Sequence, residues 1–165
     1  MTAQEYLNLL TKRLENTFDP YPLDKEPLPF DYVGQLHMAD EGYFLVPSLK
    51  TYSVQHKEFL RAKIFTGPVS WQDLEPYLAY LKEQMLGYKT TTEHMSSSFT
   101  LVVICQEADG QLLEAVTKFK FHKDYAFTLK GWSDLCLALV DLSSQQVFLN
   151  KAAKKLPAYF ELPKK

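Results

Sequence analysis

The stretch Phe99-Thr100-Leu101-Val102-Val103-Ile104-Cys105 carries no charge and is apolar on both parities. A strand with one wet face alternates apolar and polar residues, so a continuous run of this length reads as a central strand buried on both faces. Everything else in the chain has to cover it. Downstream, Asp109-Gly110 offers a hairpin turn. Against that, Leu112, Leu113, Val116 and Phe119 fall at i, i+1, i+4 and i+7, which predicts a short helix from Gln111 to about Phe121. The alternation in KFKFH, residues 118–122, keeps a strand as the competing reading of 111–121. Strands follow at about Asp124–Lys130, Asp134–Leu142 and Gln146–Leu149, with turns at Gly131 and Ser143-Ser144. A short helical tail, Lys151–Phe160, ends at Pro163.

Upstream, the hydroxyl-rich segment Gly87–Ser98 (GYKTTTEHMSSS) has no periodicity and reads as a loop. It is preceded by a helix with Leu74, Leu78, Leu81 and Met85 as its core stripe, Gly87 as its stop, and Ser70 or Asp73 as its cap. Pro76 is cheapest in a first turn, which favours Asp73. Residues 30–66 read as a three-stranded meander. Its first strand holds Tyr32, Gln35 and Leu36, and Asp40-Glu41-Gly42 makes the turn. Tyr43–Val54 follows, with Pro47 marking an edge or bulge, and Phe59–Phe65 closes it. On that last strand Leu60, Ala62 and Ile64 point one way and Arg61 and Lys63 the other, which predicts a wet face. At the N-terminus, Thr2 and Glu5 have the spacing of a capping box. Tyr6, Leu7, Leu10, Leu14 and Phe18 predict a helix ending near Phe18, followed by a surface connector from Pro20 to Pro29. The order is α-βββ-α-β-α-βββ with a short helical tail. It predicts a single α+β domain over residues 1–165, with helices packed on one face of a mainly antiparallel sheet.

The chain's 165 residues suffice for a self-supporting core, since a domain of that size buries roughly 70% of its unfolded surface. A net charge of −2 lacks the whole-molecule electrostatic footprint of a nucleic-acid binder. The aromatic share of 14% favours sheet surfaces and a packed core. Cys105 and Cys136 lie inside apolar runs and read as buried free thiols in a reducing compartment. No Cys/His spacing suggests zinc, and no metal or cofactor is expected. MTAQEYLNLL is no secretory leader, and no apolar run is long enough to span a membrane, so a cytoplasmic location is expected.

Several stretches together resemble a small bacterial family of uncharacterised proteins, a domain of unknown function. They are EHMSSSF at 93–99, KFKFHKDYAF at 118–127, KGW at 130–132, LALVDL at 137–142, and Asn150. The resemblance implies a free-standing cytoplasmic bacterial protein and brings no activity, cofactor or catalytic residue with it.

No phosphate loop, dinucleotide fingerprint, HExxH or GxSxG is present, and the six glycines are scattered. Glu93 and His94, in a loop beside a buried strand, are one candidate for acid–base chemistry; a hydrogen-bonded surface loop is the plainer reading. Asp134 and Asp141 lie seven apart on one strand and so face opposite ways. A nuclease-like site at Asp134 needs help from neighbours such as Glu58 and Lys63, or Asp124 and Lys130. Lys118, Lys120, His122 and Lys123 interleave with Phe119, Phe121 and Tyr125, a composition able to track a phosphate backbone while bases stack; it equally describes a solvated strand face. Trp132, after Gly131, is a candidate pocket aromatic or a turn-packing residue. With no catalytic constellation, the leading expectation is a non-enzymatic binding or protein-interaction module using a sheet face or an aromatic-lined groove. A hydrolase or nuclease with scattered His and carboxylate residues is the second expectation, and nucleic-acid binding through Lys118–Lys123 the third.

Overall fold

The computed structural model describes residues 1–36, 56–89, 96–126 and 131–164. Its elements run α1 (Ala3–Leu14), β1 (Phe18–Pro20), β2 (Tyr32–Leu36), β3 (His56–Phe65), α2 (Trp71–Gly87), β4 (Ser96–Cys105), α3 (Gly110–Lys118), β5 (His122–Asp124), β6 (Trp132–Asp141), β7 (Gln146–Leu149) and α4 (Pro157–Phe160). Short 3-10 turns lie at Leu23–Lys25 and Ala153–Lys155. The expected turn at Asp40-Glu41-Gly42 and the strand Tyr43–Val54 lie outside the described residues, as do Glu93 and His94. Among the described residues no helix is long and apolar enough to cross a membrane.

The strands form one mixed sheet in the order β1-β2-β3-β4-β6-β5, with β7 also paired to β6. The outer pairings are antiparallel, but β3, β4 and β6, each ten residues long, run parallel. The expected mainly antiparallel sheet is therefore corrected at its centre. Parallel neighbours cannot be joined by a tight turn and need a crossover; α2 carries the chain from β3 to β4 and α3 from β4 to β6. The helices cover both faces, not one. Phe99, Leu101, Val103, Leu135, Leu137 and Leu139 pack toward α2 and α3, while Val102, Ile104, Cys136, Ala138 and Val140 pack toward α1 and α4. That two-sided burial is why FTLVVIC lacks alternation.

Local details sharpen other expectations. Thr2 and Glu5 form the expected capping box on α1, but the helix stops at Leu14, and buried Phe18 opens β1 opposite Leu36. Phe18, expected at the end of the helix, and Pro20, expected to open the connector, thus bound a short strand. Ser70, not Asp73, caps α2. Asp73 takes the reciprocal position of a capping box, and Pro76 falls in the second turn. Asp109 caps α3 through the Leu112 amide at 2.7 Å, which decides for a helix over the hairpin. The side of β3 expected to be wet is covered. The Arg61 guanidinium makes a two-pronged bond to Glu26, at 2.9 and 3.0 Å. It also lies 5.7 Å from the Phe30 ring centre and 5.2 Å from that of Tyr80. The proline-spaced segment and α2 thereby close over this face, and Lys63 pairs with Asp31 at 3.2 Å.

Candidate functional site: a notch in the sheet edge

The outer edge of β6 is shared by two short strands. β5 pairs with Trp132–Asp134 and β7 with Ala138–Asp141, so among the described residues no strand lies beside Leu135–Leu137 on this edge. Buried backbone groups still need partners, and two residues supply them. Leu135 N–H donates to the Phe121 carbonyl at 3.0 Å. Fully buried Asn150 supplies the rest. Its Nδ2 donates to the Leu135 carbonyl (3.0 Å), its Oδ1 accepts from Leu137 N–H (3.0 Å), and its own N–H donates to the Leu137 carbonyl (3.0 Å). The same amide donates to the Phe119 carbonyl (3.2 Å) and accepts from Ala153 N–H (3.0 Å). With the ladder groups satisfied without a strand, a notch stays open. It is a cleft of about 310 Å³ walled by Phe119, Phe121 and Ala152 and ringed by Lys120, Lys151, Lys155 and Asp134.

Asp134 is held from two sides. His122, its cross-strand partner, places Nδ1 2.7 Å from Oδ1, and the Lys155 ammonium lies 3.6 Å from Oδ2. The other His122 nitrogen, Nε2, lies 3.0 Å from Asp124. The bond to Asp134 pushes the His122 pKa upward, with the Asp124 bond in support and partial burial opposing. The charged imidazolium is the form that donates to both carboxylates at once.

The same rank crosses the sheet, Asp134 lying beside Ser98 and Ser98 beside Glu58. Ser98 Oγ is buried, makes no hydrogen bond of normal geometry among the described residues, and sits beside the Cys136 thiol. Buried Glu58 is bonded by the Tyr159 hydroxyl, whose pKa is raised by burial first and by Glu58 second. Burial pushes the Cys136 thiol up to about 11, and pushes Cys105, with Asp141 in support, to about 12. These thiols pack on opposite faces of the sheet. Neither is poised as a nucleophile. On the opposite face Ser97, Ser133, Tyr125 and the Met85 carbonyl form a buried chain of hydrogen bonds at 2.8, 2.8 and 3.0 Å.

The candidates therefore divide. Asp134 and Lys120 reach the notch, and His122 stands behind Asp134. Lys123 turns away, bonding the Leu86 carbonyl at 3.2 Å and covering the Tyr125 ring. Exposed Lys118 pairs with Glu114 on α3. Trp132 is half-buried at the start of β6, and the cleft's aromatics are Phe119 and Phe121. Lys63 lies with Asp31, on the other side of β3 from Glu58, and Asp124 is engaged by His122. Asp141 ends β6 and holds the turn that follows, accepting from the amides of Ser143 and Ser144 at 2.9 and 3.0 Å. Among the described residues no group of three or more His, Cys, Asp or Glu converges as a metal site. Nothing local in the sequence joins Asn150, Lys151 and Lys155 to Asp134, yet all four line this cleft, and Lys155 pairs with Asp134 directly.

A second cleft, about 370 Å³, lies where β3 and β4 lead into α2 and α3, between Thr66–Val69 and Gln106–Asp109. Helix starts attract anions. Here the chain's own carboxylates, Asp73 and Asp109, already occupy both.

The class is thus an α+β domain with a mixed, helix-covered sheet and a ligand-sized notch on one edge. The chain belongs to the family described as a domain of unknown function (DUF8052), whose model matches residues 2–162. No curated protein and no solved structure matches it.

Proposed function

We propose that this domain is a non-enzymatic binding module whose ligand is a small organic anion seated in the edge notch. One observation carries the reading: Lys120, Lys151 and Lys155, from two separate segments, surround a cleft of about 310 Å³ that Phe119 and Phe121 also line. That volume lies at the lower end for small-molecule sites, which are apolar pockets with a few placed polar groups. The chemistry around it favours holding over reacting. Both nitrogens of His122 are engaged, and the thiols are buried with raised pKa values. The nucleic-acid alternative is weakened because Lys118 and Lys123 are turned to other partners and do not extend a stripe from the notch. Two buried, unpaired thiols suit a reducing compartment, and we take the cytoplasm as its location.

The test is a thermal-shift screen of the full chain against small anionic metabolites, repeated with Ala152→Trp, an uncharged bulk placed in the lining of the notch. A ligand that raises Tm in the native chain and has no effect on a folded Ala152→Trp variant supports the reading. Hits indifferent to that substitution overturn it, as does a screen without any.

A further inference from the structure

Resting on that reading, we propose that the ligand is a single planar aromatic ring carrying a phosphate group, held with the ring against Phe119 and Phe121 and the phosphate among Lys120, Lys151 and Lys155. Charge selects the phosphate. Three lysines against the one carboxylate of Asp134 leave a formal surplus of two positive charges, and the adjoining His122 and Asp124 offset each other when the imidazole is protonated. A dianion neutralises that surplus; a carboxylate meets half of it. Lysine suits the task as a compact point charge on a flexible stem.

The wall selects the ring. Phe119 and Phe121 are only partly buried and border the cleft. They are nonetheless fixed from the α2 side, where Lys82 Nζ lies 5.5 and 5.1 Å from their ring centres and Trp71 packs 5.6 Å from Phe119. An aromatic wall already held in place stacks a ligand with little ordering cost. Size selects one ring and one phosphate, because about 310 Å³ is small for a ligand site. A polymer is disfavoured by the same geometry that turns Lys118 and Lys123 aside.

The experiment is calorimetric titration of the full chain with phenyl phosphate, cyclohexyl phosphate, benzoate and inorganic phosphate. The expected order is phenyl phosphate tightest, cyclohexyl phosphate roughly three- to tenfold weaker for want of stacking, and the other two weaker still. The double variant Lys151→Gln/Lys155→Gln, with its ligand-free Tm unchanged, is expected to lose phenyl phosphate binding at least tenfold. Phe121→Leu is expected to erase the preference for the aromatic ring. Equal binding of the two phosphate esters overturns the ring assignment, and benzoate binding as well as phenyl phosphate overturns the phosphate; both leave the notch as a ligand site. If no probe binds while the metabolite screen still yields a ligand blocked by Ala152→Trp, this inference falls and the broader reading stands. If neither yields binding, both fall.

Discussion

Replacing Asn150 with alanine removes one side-chain amide and leaves the edge of β6 without its substitute strand. Oδ1 and Nδ2 together serve four backbone groups. The Ala153 amide keeps a second bond, to the Asn150 carbonyl at 3.1 Å. The Phe119 carbonyl, on a half-buried residue at the cleft, is within reach of water. Two partners have no such recourse, the N–H of Leu137 and the carbonyl of Leu135, both on fully buried residues. A buried polar group left unpaired costs about 1–3 kcal/mol, so Asn150→Ala should cost about 2–6 kcal/mol. In a chain of this size that lowers Tm by roughly 5–20 °C. Urea unfolding should show the loss as a lower midpoint at unchanged slope, because the surface exposed on unfolding is nearly the same. Asn150→Asp is the sharper variant. It keeps the acceptor facing Leu137 but sets a carboxylate oxygen against the carbonyls of Phe119 and Leu135, and should be no milder than alanine. A loss below about 1 kcal/mol for alanine, or an aspartate variant as stable as the native chain, would refute the claim that this amide stands in for a strand.

Leu139 is fully buried toward α2 and α3, so Leu139→Ala should cost about 2–5 kcal/mol in urea unfolding. Arg61→Ala, which strands Glu26, should cost about 3–5 kcal/mol, whereas Arg61→Met with Glu26→Leu should recover most of that loss by double-mutant comparison. The raised pKa of His122 makes its contribution fully present below the unfolded value, about 6.5, and lost as pH rises through the folded one. The stability gap between the native chain and His122→Gln should therefore be widest in mild acid and close in mild alkali. Because the imidazole is about a third exposed, the gap should be well under about 1 kcal/mol.

Helix positions were legible from the apolar period, although the caps of α2 and α3 were not. Leu74, Leu78, Leu81 and Met85 mark α2, and Leu112 and Val116 mark α3, as the structure bears out. Gln146–Leu149 was legible as a strand for the same local reason. Strand direction was not, because a strand's side-chain alternation is the same whichever way its neighbour runs. FTLVVIC did hold a hint, since a run apolar on both parities needs helices on both faces, the usual setting of parallel strands. Arg61 misled because a charge on a strand reads as solvent-facing, and nothing local announces that Glu26, 35 residues earlier, will meet it. The site was legible only in half. Lys120, His122 and Asp134 stood out by composition, but their relation to Lys151 and Lys155 depends on β7 returning the chain to the edge of β6, a contact between distant segments.

That returning segment links the stability of the fold to the proposed site. Residues 150–155 carry Asn150, Lys151, Ala152 and Lys155, and the segment is anchored at both ends. At one end Asn150 is bound into the notch of β6. At the other, Tyr159 and Phe160 are buried against α1, with the Tyr6 hydroxyl donating to the Phe160 carbonyl at 2.8 Å and the Tyr159 ring meeting Phe18 at 5.8 Å. Arg13 adds bonds to the carbonyls of Tyr159 and Glu161. Lysines on a segment fixed at both ends lose little backbone freedom when an anion arrives, so less of the binding energy is spent on ordering. The Asn150 amide therefore acts on binding without touching the ligand: it holds the floor from which Lys151 and Lys155 project and the carbonyl that precedes Lys120. Loosening it should weaken anion binding together with stability, whereas removing Lys151 should weaken binding alone. The contrast between those two variants separates a scaffold residue from a contact residue in the same cleft.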